Sequence, residues 1–150
     1  MKSNILVFVT MVCSLLMVGC SSSGPAPVPV KGTVKTKKGQ PCDNALVVLH
    51  PTAKDRVNDP KPVATTNAEG KFVLTTFAVD DGALPGDYSV TVVWPGKSGA
   101  ESKFSLSGEG EGAAGGADQL KGKYGNPSQP LLKATVPAQG GADLLLEVEP

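Results

Sequence analysis

The chain has 150 residues, and its 14 basic and 14 acidic side chains leave no net charge at pH 7. This length fits a single domain, and the charge balance argues against a nucleic-acid binder, whose affinity comes largely from neutralising phosphates. The 18 glycines and 13 prolines are too many for a helical bundle. We therefore expect one domain of short elements joined by turns, with no nucleic-acid partner.

The first residues have the pattern of an export signal. Lys2 gives a positive start, and an apolar run follows from Ile5 to Val18. The run is shorter than a membrane-spanning helix but has the length of a signal-peptide core. It ends at Gly19-Cys20, which resembles the bacterial lipoprotein signal, where the cysteine is acylated and becomes the new N-terminus.

This resemblance implies a signal peptide over residues 1–19, export, and a membrane partner reached through acyl chains on Cys20. Two or three chains hold a protein stably on a bilayer, since each buried CH₂ contributes about 0.8 kcal/mol. Ser21 rather than Asp follows the cysteine, which by analogy with enteric sorting favours the outer membrane, on its periplasmic or its surface-exposed face. Two alternatives stay open, namely an ordinary secretory signal cut nearby and an N-terminal helix retained in the membrane.

Processing before Cys20 leaves 131 residues, with 13 basic and 14 acidic side chains and Cys42 as the single unmodified cysteine. No internal disulfide can then form, so the hydrophobic core must stabilise the domain. Residues 20–29 form the lipidated cysteine and a flexible Ser/Gly/Pro-rich tether, which spans about 3.1 Å per residue where it is extended. The folded domain is expected over residues 30–150.

Apolar residues alternate with period two after residue 30, with no sustained helical period, which predicts strands. In the run from Tyr88 to Trp94 the even-numbered side chains are expected to face the core, with Ser89 and Thr91 opposite. Turns rich in glycine and proline separate seven such runs, which indicates an all-β sandwich. The predicted strands are Val30–Thr36, Ala45–His50, Val63–Thr66, Lys71–Phe77, Tyr88–Trp94, Leu131–Val136 and Ala142–Glu149.

One segment departs from this pattern. Residues 96–125 contain nine of the 18 glycines. Such a composition cannot pack a core, so we expect a long mobile Gly-rich loop at one end of the sandwich. Lys103–Leu106 is a candidate for one short extra strand before the densest glycines.

Four motifs occur in chain order between residues 30 and 149. They are Gly32-x-Val34 with Gly39-x-Pro41-x-x-x-Ala45-x-Val47, then Thr66-Asn67-Ala68-Glu69-Gly70-Lys71-Phe72, then Pro85-Gly86-Asp87-Tyr88-Ser89-Val90-Thr91-Val92, and finally Lys123-Tyr124-Gly125-Asn126-Pro127. Together they resemble the carboxypeptidase regulatory-like domain, a transthyretin-like β-sandwich, as found in small bacterial lipoproteins. The resemblance implies a seven-stranded transthyretin-like or Ig-like Greek-key sandwich, and it implies a fold rather than a catalytic site.

Few residues offer catalytic chemistry. His50 is the only histidine, and no second histidine or nearby cysteine completes a zinc site. Cys42 follows Pro41 in a turn, where Lys37, Lys38 and His50 are the only basic groups close enough to activate a thiol. We expect His50 to be a strand-end residue and Cys42 a half-buried turn residue, in a protein that is not an enzyme and holds no metal or cofactor.

Two functions stay open. The first is a membrane-anchored, non-enzymatic lipoprotein that presents a structural or protein-interaction module at the cell envelope. The alternative is a module that binds carbohydrate or another envelope polymer, with Trp94 and Tyr124 as the aromatic ligand contacts at the loop ends. An exposed cluster of these rings with Phe104 would favour the alternative, and burial of all three would contradict it. For Trp94, packing in the core or at its rim is the competing expectation.

Overall fold

The computed structural model describes residues 26–96 and 116–150. The expected signal peptide, Cys20, Lys103–Leu106 and most of the glycine-rich segment lie outside the described residues. Within them, one short 3-10 helix, Lys54–Arg56, accompanies seven strands. The strands are β1 (Val30–Thr36), β2 (Leu46–Pro51), β3 (Val63–Thr65), β4 (Lys71–Val73), β5 (Gly86–Val93), β6 (Leu132–Val136) and β7 (Ala142–Val148).

The strands form two sheets in an all-β, sandwich-like fold. Three strands make one sheet in the order β4-β1-β7, and four make the other in the order β3-β2-β5-β6. Neighbouring strands are antiparallel except β1 and β7, which run parallel. The predicted class and the predicted number of strands are confirmed. In the described part of the chain, no helix is long and apolar enough to cross a membrane.

Alternating side chains of both sheets meet in one core. Gly32 belongs to the inward row of β1, where a Cβ would approach the Phe72 ring to 2.5 Å, so the absent side chain makes room for the ring. A fully buried Val, Leu or Phe contributes about 1.5–3 kcal/mol relative to an exposed one. The core includes the inward side chains of Val30, Val34, Val47, Leu49, Phe72, Leu74, Tyr88, Val90, Val92, Leu146 and Val148.

Six of the seven predicted strands agree with the observed ones to within two residues at each end. The prediction of a strand over Lys71–Phe77 is wrong at its end, because β4 stops at Val73. The Asp81 carboxylate accepts hydrogen bonds from the three consecutive backbone N–H groups of residues 76–78. These bonds fold the chain into a tight loop, and Phe77 is exposed to solvent.

The second face of β5 is covered. Ser89 and Thr91 lie opposite its core-facing residues, as predicted, yet both are buried. β5 runs between β2 and β6. The Thr91 hydroxyl lies 3.0 Å from Nε2 of His50, and Pro127 and Pro130 line a cavity together with His50 and Ser89. The loop that precedes β6 therefore lies beside this face at Ser89, and His50 contacts Thr91.

Candidate functional site

A trough of about 750 Å³ runs along the junction of β3 and β4, where the two sheets meet. Val63 and Thr75 exchange two backbone hydrogen bonds of 2.9 Å at one end of this junction. The turn that begins at Asn67 closes the other end. Between these two connections, Thr65 and Val73 line the trough. The trough is therefore built by the passage of the chain from one sheet to the other.

The trough combines apolar side chains with charges of both signs. Val63 and Val73 are 40% and 43% exposed. The strand register places Val73, Lys31 and Asp143 in one row across β4, β1 and β7. Such a lining fits a partner that brings both polar and apolar groups better than a uniformly charged one. The charged lining residues are Lys31, Lys71, Asp80 and Asp143.

Trp94 follows β5 and is buried, with 6% of its surface exposed. Its indole Nε1–H donates to the Asp43 carbonyl at 3.0 Å, and its backbone N–H donates to the Asp118 carboxylate at 2.9 Å. The packing role expected for Trp94 is therefore confirmed. In this conformation the ring offers no open face to a ligand.

Asp118 holds the chain where it returns to the sandwich. Its carboxylate accepts hydrogen bonds from the backbone N–H groups of Trp94, Leu120 and Gly122, at 2.9, 3.0 and 2.8 Å. An ionised acceptor makes such bonds stronger than neutral ones. Residues 116–125, which were expected to belong to the mobile loop, are instead hydrogen-bonded turns that pack on β5. Sequence reasoning missed this aspartate.

Tyr124 is also buried, with 7% of its surface exposed. Its hydroxyl accepts a hydrogen bond from the backbone N–H of Glu149 at 3.1 Å, and the Lys123 ammonium lies 5.7 Å from its ring centroid. Trp94 and Tyr124 thus pack into the sandwich and do not form an exposed pair. Phe104, the third ring of the expected cluster, lies outside the described residues.

His50 lines a second cavity, of about 420 Å³, on the outer face of the four-stranded sheet. Burial and the charge of Lys61 lower the pKa of His50, and both effects favour the neutral imidazole. Its polar neighbours in this cavity are Thr52, Lys61, Ser89 and Ser128. Across residues 26–96 and 116–150, no three His, Cys, Asp or Glu side chains are grouped so as to hold a metal ion.

Cys42 is fully buried, and the expectation of a half-buried turn residue is wrong. Its carbonyl accepts a hydrogen bond from the Thr66 hydroxyl, which in turn accepts one from the backbone N–H of Ala45 at 2.7 Å. These bonds draw the turn inward against the core. Burial raises the pKa of the Cys42 thiol to about 11, so it stays protonated and packs as a small apolar side chain.

The start of β5 is locked by Tyr88 and Arg56. The buried Tyr88 hydroxyl donates to the Leu84 carbonyl at 2.6 Å and accepts from Arg56 Nη2 at 3.1 Å. Arg56 also donates to the Pro85 carbonyl at 2.6 Å and to Asp59 at 2.8 Å. This network joins the 3-10 helix to the corner before β5. Its hydrogen bonds satisfy backbone groups, which is an architectural role.

The β3–β4 trough and the cavity at His50 are two surfaces of the described residues that offer room for a ligand or a partner. The trough is the larger of these two and exposes two valines, Val63 and Val73, whereas the cavity at His50 exposes one, Val57. Relatives add nothing to this assignment, since comparison with protein-family models, with curated proteins and with solved structures finds no match for this chain.

Proposed function

We propose that this protein is an exported, non-enzymatic lipoprotein that presents a protein-interaction module on the outer membrane. The anchor is supported by the apolar run that ends at Gly19-Cys20 and by the Ser/Gly/Pro-rich segment that follows it. The interaction role is carried by one observation, the β3–β4 trough with its exposed valines. The partner is the extended segment of another envelope protein.

The proposed fold is a transthyretin-like Greek-key sandwich of the carboxypeptidase regulatory-like type. Its support is the way in which the chain moves between the sheets. The connections β1–β2, β3–β4, β4–β5 and β6–β7 each cross from one sheet to the other, whereas β2–β3 and β5–β6 stay within one sheet. A Greek key wound over a sandwich requires such crossings. The motif order in the sequence supports the same proposal.

The size and the lining of the trough support a peptide as the occupant. Its volume of about 750 Å³ lies in the range of ligand-binding clefts, roughly 300–1,000 Å³. A partner that covered Val63 and Val73 would gain at most about 1.5–3 kcal/mol for each side chain, less the part already buried. Lys31 and Asp143 lie in the same row and offer both signs of charge to the peptide. The expected complex is weak and readily exchanged.

The envelope-polymer alternative relied on aromatic rings at the loop ends. Trp94 and Tyr124 are packed and hydrogen-bonded in the sandwich. Stacking of a sugar on either ring would require this end of the protein to open. The protein-interaction role is therefore the better supported of the two.

Metabolic labelling with palmitate tests the anchor. The full chain expressed in a Gram-negative host is expected to incorporate the label, and Cys20→Ala is expected to abolish it. Cys13→Ala is the matched control, because that residue lies inside the expected signal peptide and should leave labelling unchanged. Labelling that persists in Cys20→Ala would refute the anchor.

Photocrosslinking on intact cells tests the trough. A benzophenone amino acid at Val73 is expected to capture a discrete protein, which mass spectrometry of the adduct identifies. The same group at Leu131, which is more exposed but does not line the trough, is the matched control and is expected to capture nothing discrete. A polysaccharide adduct at position 73 would support the envelope-polymer alternative, and equal adducts at both positions would contradict the proposal.

A further inference from the structure

The loop between β4 and β5 exposes three consecutive apolar residues, Phe77, Ala78 and Val79. Phe77 is 61% exposed and Val79 is 85% exposed. We name these three residues the apolar tip. An exposed aromatic beside an exposed valine on one short loop is the kind of surface that marks a contact with a protein or a membrane.

The apolar tip is held outward by hydrogen bonds within its own loop. The Asp81 carboxylate accepts from the three backbone N–H groups of residues 76–78. The Thr76 hydroxyl donates to the Gly82 carbonyl at 2.6 Å, and the Gly82 N–H donates to the Leu74 carbonyl at 2.9 Å. These bonds fix the base of the loop, so the tip cannot fold back onto the core without breaking them.

The apolar tip lies at the end of the sandwich where the chain arrives from its N-terminus. Val28 and Ala83 exchange two backbone hydrogen bonds, of 2.8 and 3.0 Å. Gly82, with φ +93°, packs so closely that a Cβ there would overlap the Val28 carbonyl oxygen. Cys20 stands only eight residues before Val28. An extended tether of that length spans about 25 Å at about 3.1 Å per residue.

We infer that the apolar tip inserts into the surface of the bilayer to which the protein is anchored and thereby orients the sandwich on the membrane. This inference rests on the proposed lipid anchor. A short tether keeps the bilayer at high effective concentration beside the tip, and the boundary between headgroups and acyl chains accepts apolar side chains to a depth of about 5–10 Å. A protein partner would have to compete with that surface, which is always present.

The turn at the opposite end of the sandwich provides the control. β1 begins beside Leu74, which donates its N–H to the Val30 carbonyl, and it continues to Val34, which donates to the Gly70 carbonyl. Gly70, which ends the turn, therefore lies four residues of β1, or about 13 Å, beyond the base of the apolar tip. Ala68 in that turn is exposed.

Quenching by brominated lipid tests the inference. Val79→Cys and Ala68→Cys are made in the full chain, which is processed in cells, labelled with a nitrobenzoxadiazole fluorophore and reconstituted into phosphatidylcholine vesicles with or without brominated acyl chains. Cys20 is acylated under the proposed function, and Cys42 is fully buried, so the introduced cysteine takes the label. Brominated vesicles are expected to reduce the emission at position 79 and to leave that at position 68 unchanged.

Flotation of the vesicles separates this inference from the proposed anchor. A chain that floats with the vesicles while its label at position 79 escapes quenching would overturn the apolar tip inference and leave the anchor standing. A chain that stays in the soluble fraction would overturn both. Emission at position 79 that shifts to the blue without quenching by bromine would indicate a protein contact, such as a second copy, and would also overturn the inference.

Discussion

Replacement of Asp118 by alanine removes the acceptor that holds residues 116–125 on the sandwich. The two carboxylate oxygens of Asp118 accept different hydrogen bonds. Oδ1 accepts from Trp94 and Leu120, and Oδ2 accepts from Gly122. Asp118→Asn is the matched variant, because an amide oxygen in the place of Oδ1 keeps two of the bonds and only the bond to Gly122 is lost.

The expected magnitude follows from these contacts. A hydrogen bond to a charged group contributes about 1.5–3 kcal/mol, and less where water replaces the lost partner. Gly122 is exposed, so its N–H will be hydrated, whereas the bonds to Trp94 and Leu120 are partly buried. We expect Asp118→Ala to lower the free energy of unfolding by about 2–4 kcal/mol and Asp118→Asn by about 1 kcal/mol. For a domain of this size, the alanine variant should melt roughly 8–15 °C lower.

Trp94 makes the assay direct, because it is the only tryptophan in the chain. Urea unfolding followed by tryptophan fluorescence reports both the global transition and the environment of the ring that Asp118 contacts. The alanine variant is expected to unfold at lower urea and to emit at longer wavelength before the transition. A loss below about 1 kcal/mol, or equal losses in both variants, would refute the assignment of the carboxylate as the main link.

Three further predictions follow from single contacts. Gly70→Ala should lower the free energy of unfolding by about 2–3 kcal/mol, since the φ of Gly70 is +73° and the new Cβ would fall on the Val34 carbonyl oxygen. Gly39→Ala, at φ +83° in open space, should lower it by only about 1 kcal/mol. Equal losses of stability in thermal unfolding would contradict this. Burial of Asp81 raises its pKa, but backbone hydrogen bonds outweigh that effect and hold the pKa below its usual 3.8. The stability that these bonds give is present above about pH 4 and is lost as the pH falls through the folded-state pKa. Asp81→Asn should therefore reduce the loss of unfolding free energy at acid pH. An acid dependence equal to that of the unmodified protein would contradict this role of Asp81. The Cys42 thiol can be tested alone in protein that begins after Cys20. Because its pKa is about 11, it should react with a disulfide reagent at pH 8 only at the rate of unfolding. Rapid reaction in the native state would show that the thiol is accessible.

The strands could be predicted because the core imposes period two on every one of them. That rule fails where a side chain competes for the backbone. The run of strand-forming residues from Lys71 continues to Phe77 in the sequence, but Asp81 accepts hydrogen bonds from the backbone N–H groups of residues 76–78 and ends the pairing. An aspartate followed by Gly82 was visible as a turn signal. The direction in which its carboxylate points depends on the folded loop.

The candidate sites could be predicted less well, because their surroundings come from distant parts of the chain. The indole of Trp94 is satisfied by Asp43, which stands 51 residues earlier, and Tyr124 is satisfied by Glu149, 25 residues later. Neither contact can be predicted from the sequence around the aromatic residue. The trough is equally non-local, since it arises only where β3 and β4 meet at the junction of the sheets.

The β3–β4 trough and the apolar tip lie close together on the folded protein, so the experiments that test them must distinguish a protein partner from the bilayer. Asp80 lines the trough and directly follows Val79 of the apolar tip. The other end of the trough reaches Asn67, in the turn at the far end of β1. If the tip inserts, the trough therefore begins near the lipid headgroups and leads away from the bilayer along Lys31 to Thr33 of β1, a distance of about 10 Å. Val73 pairs with Lys31 at the tip end of this stretch, so the mass of the adduct must separate a protein captured at position 73 from lipid, whereas quenching at position 79 reports on lipid alone.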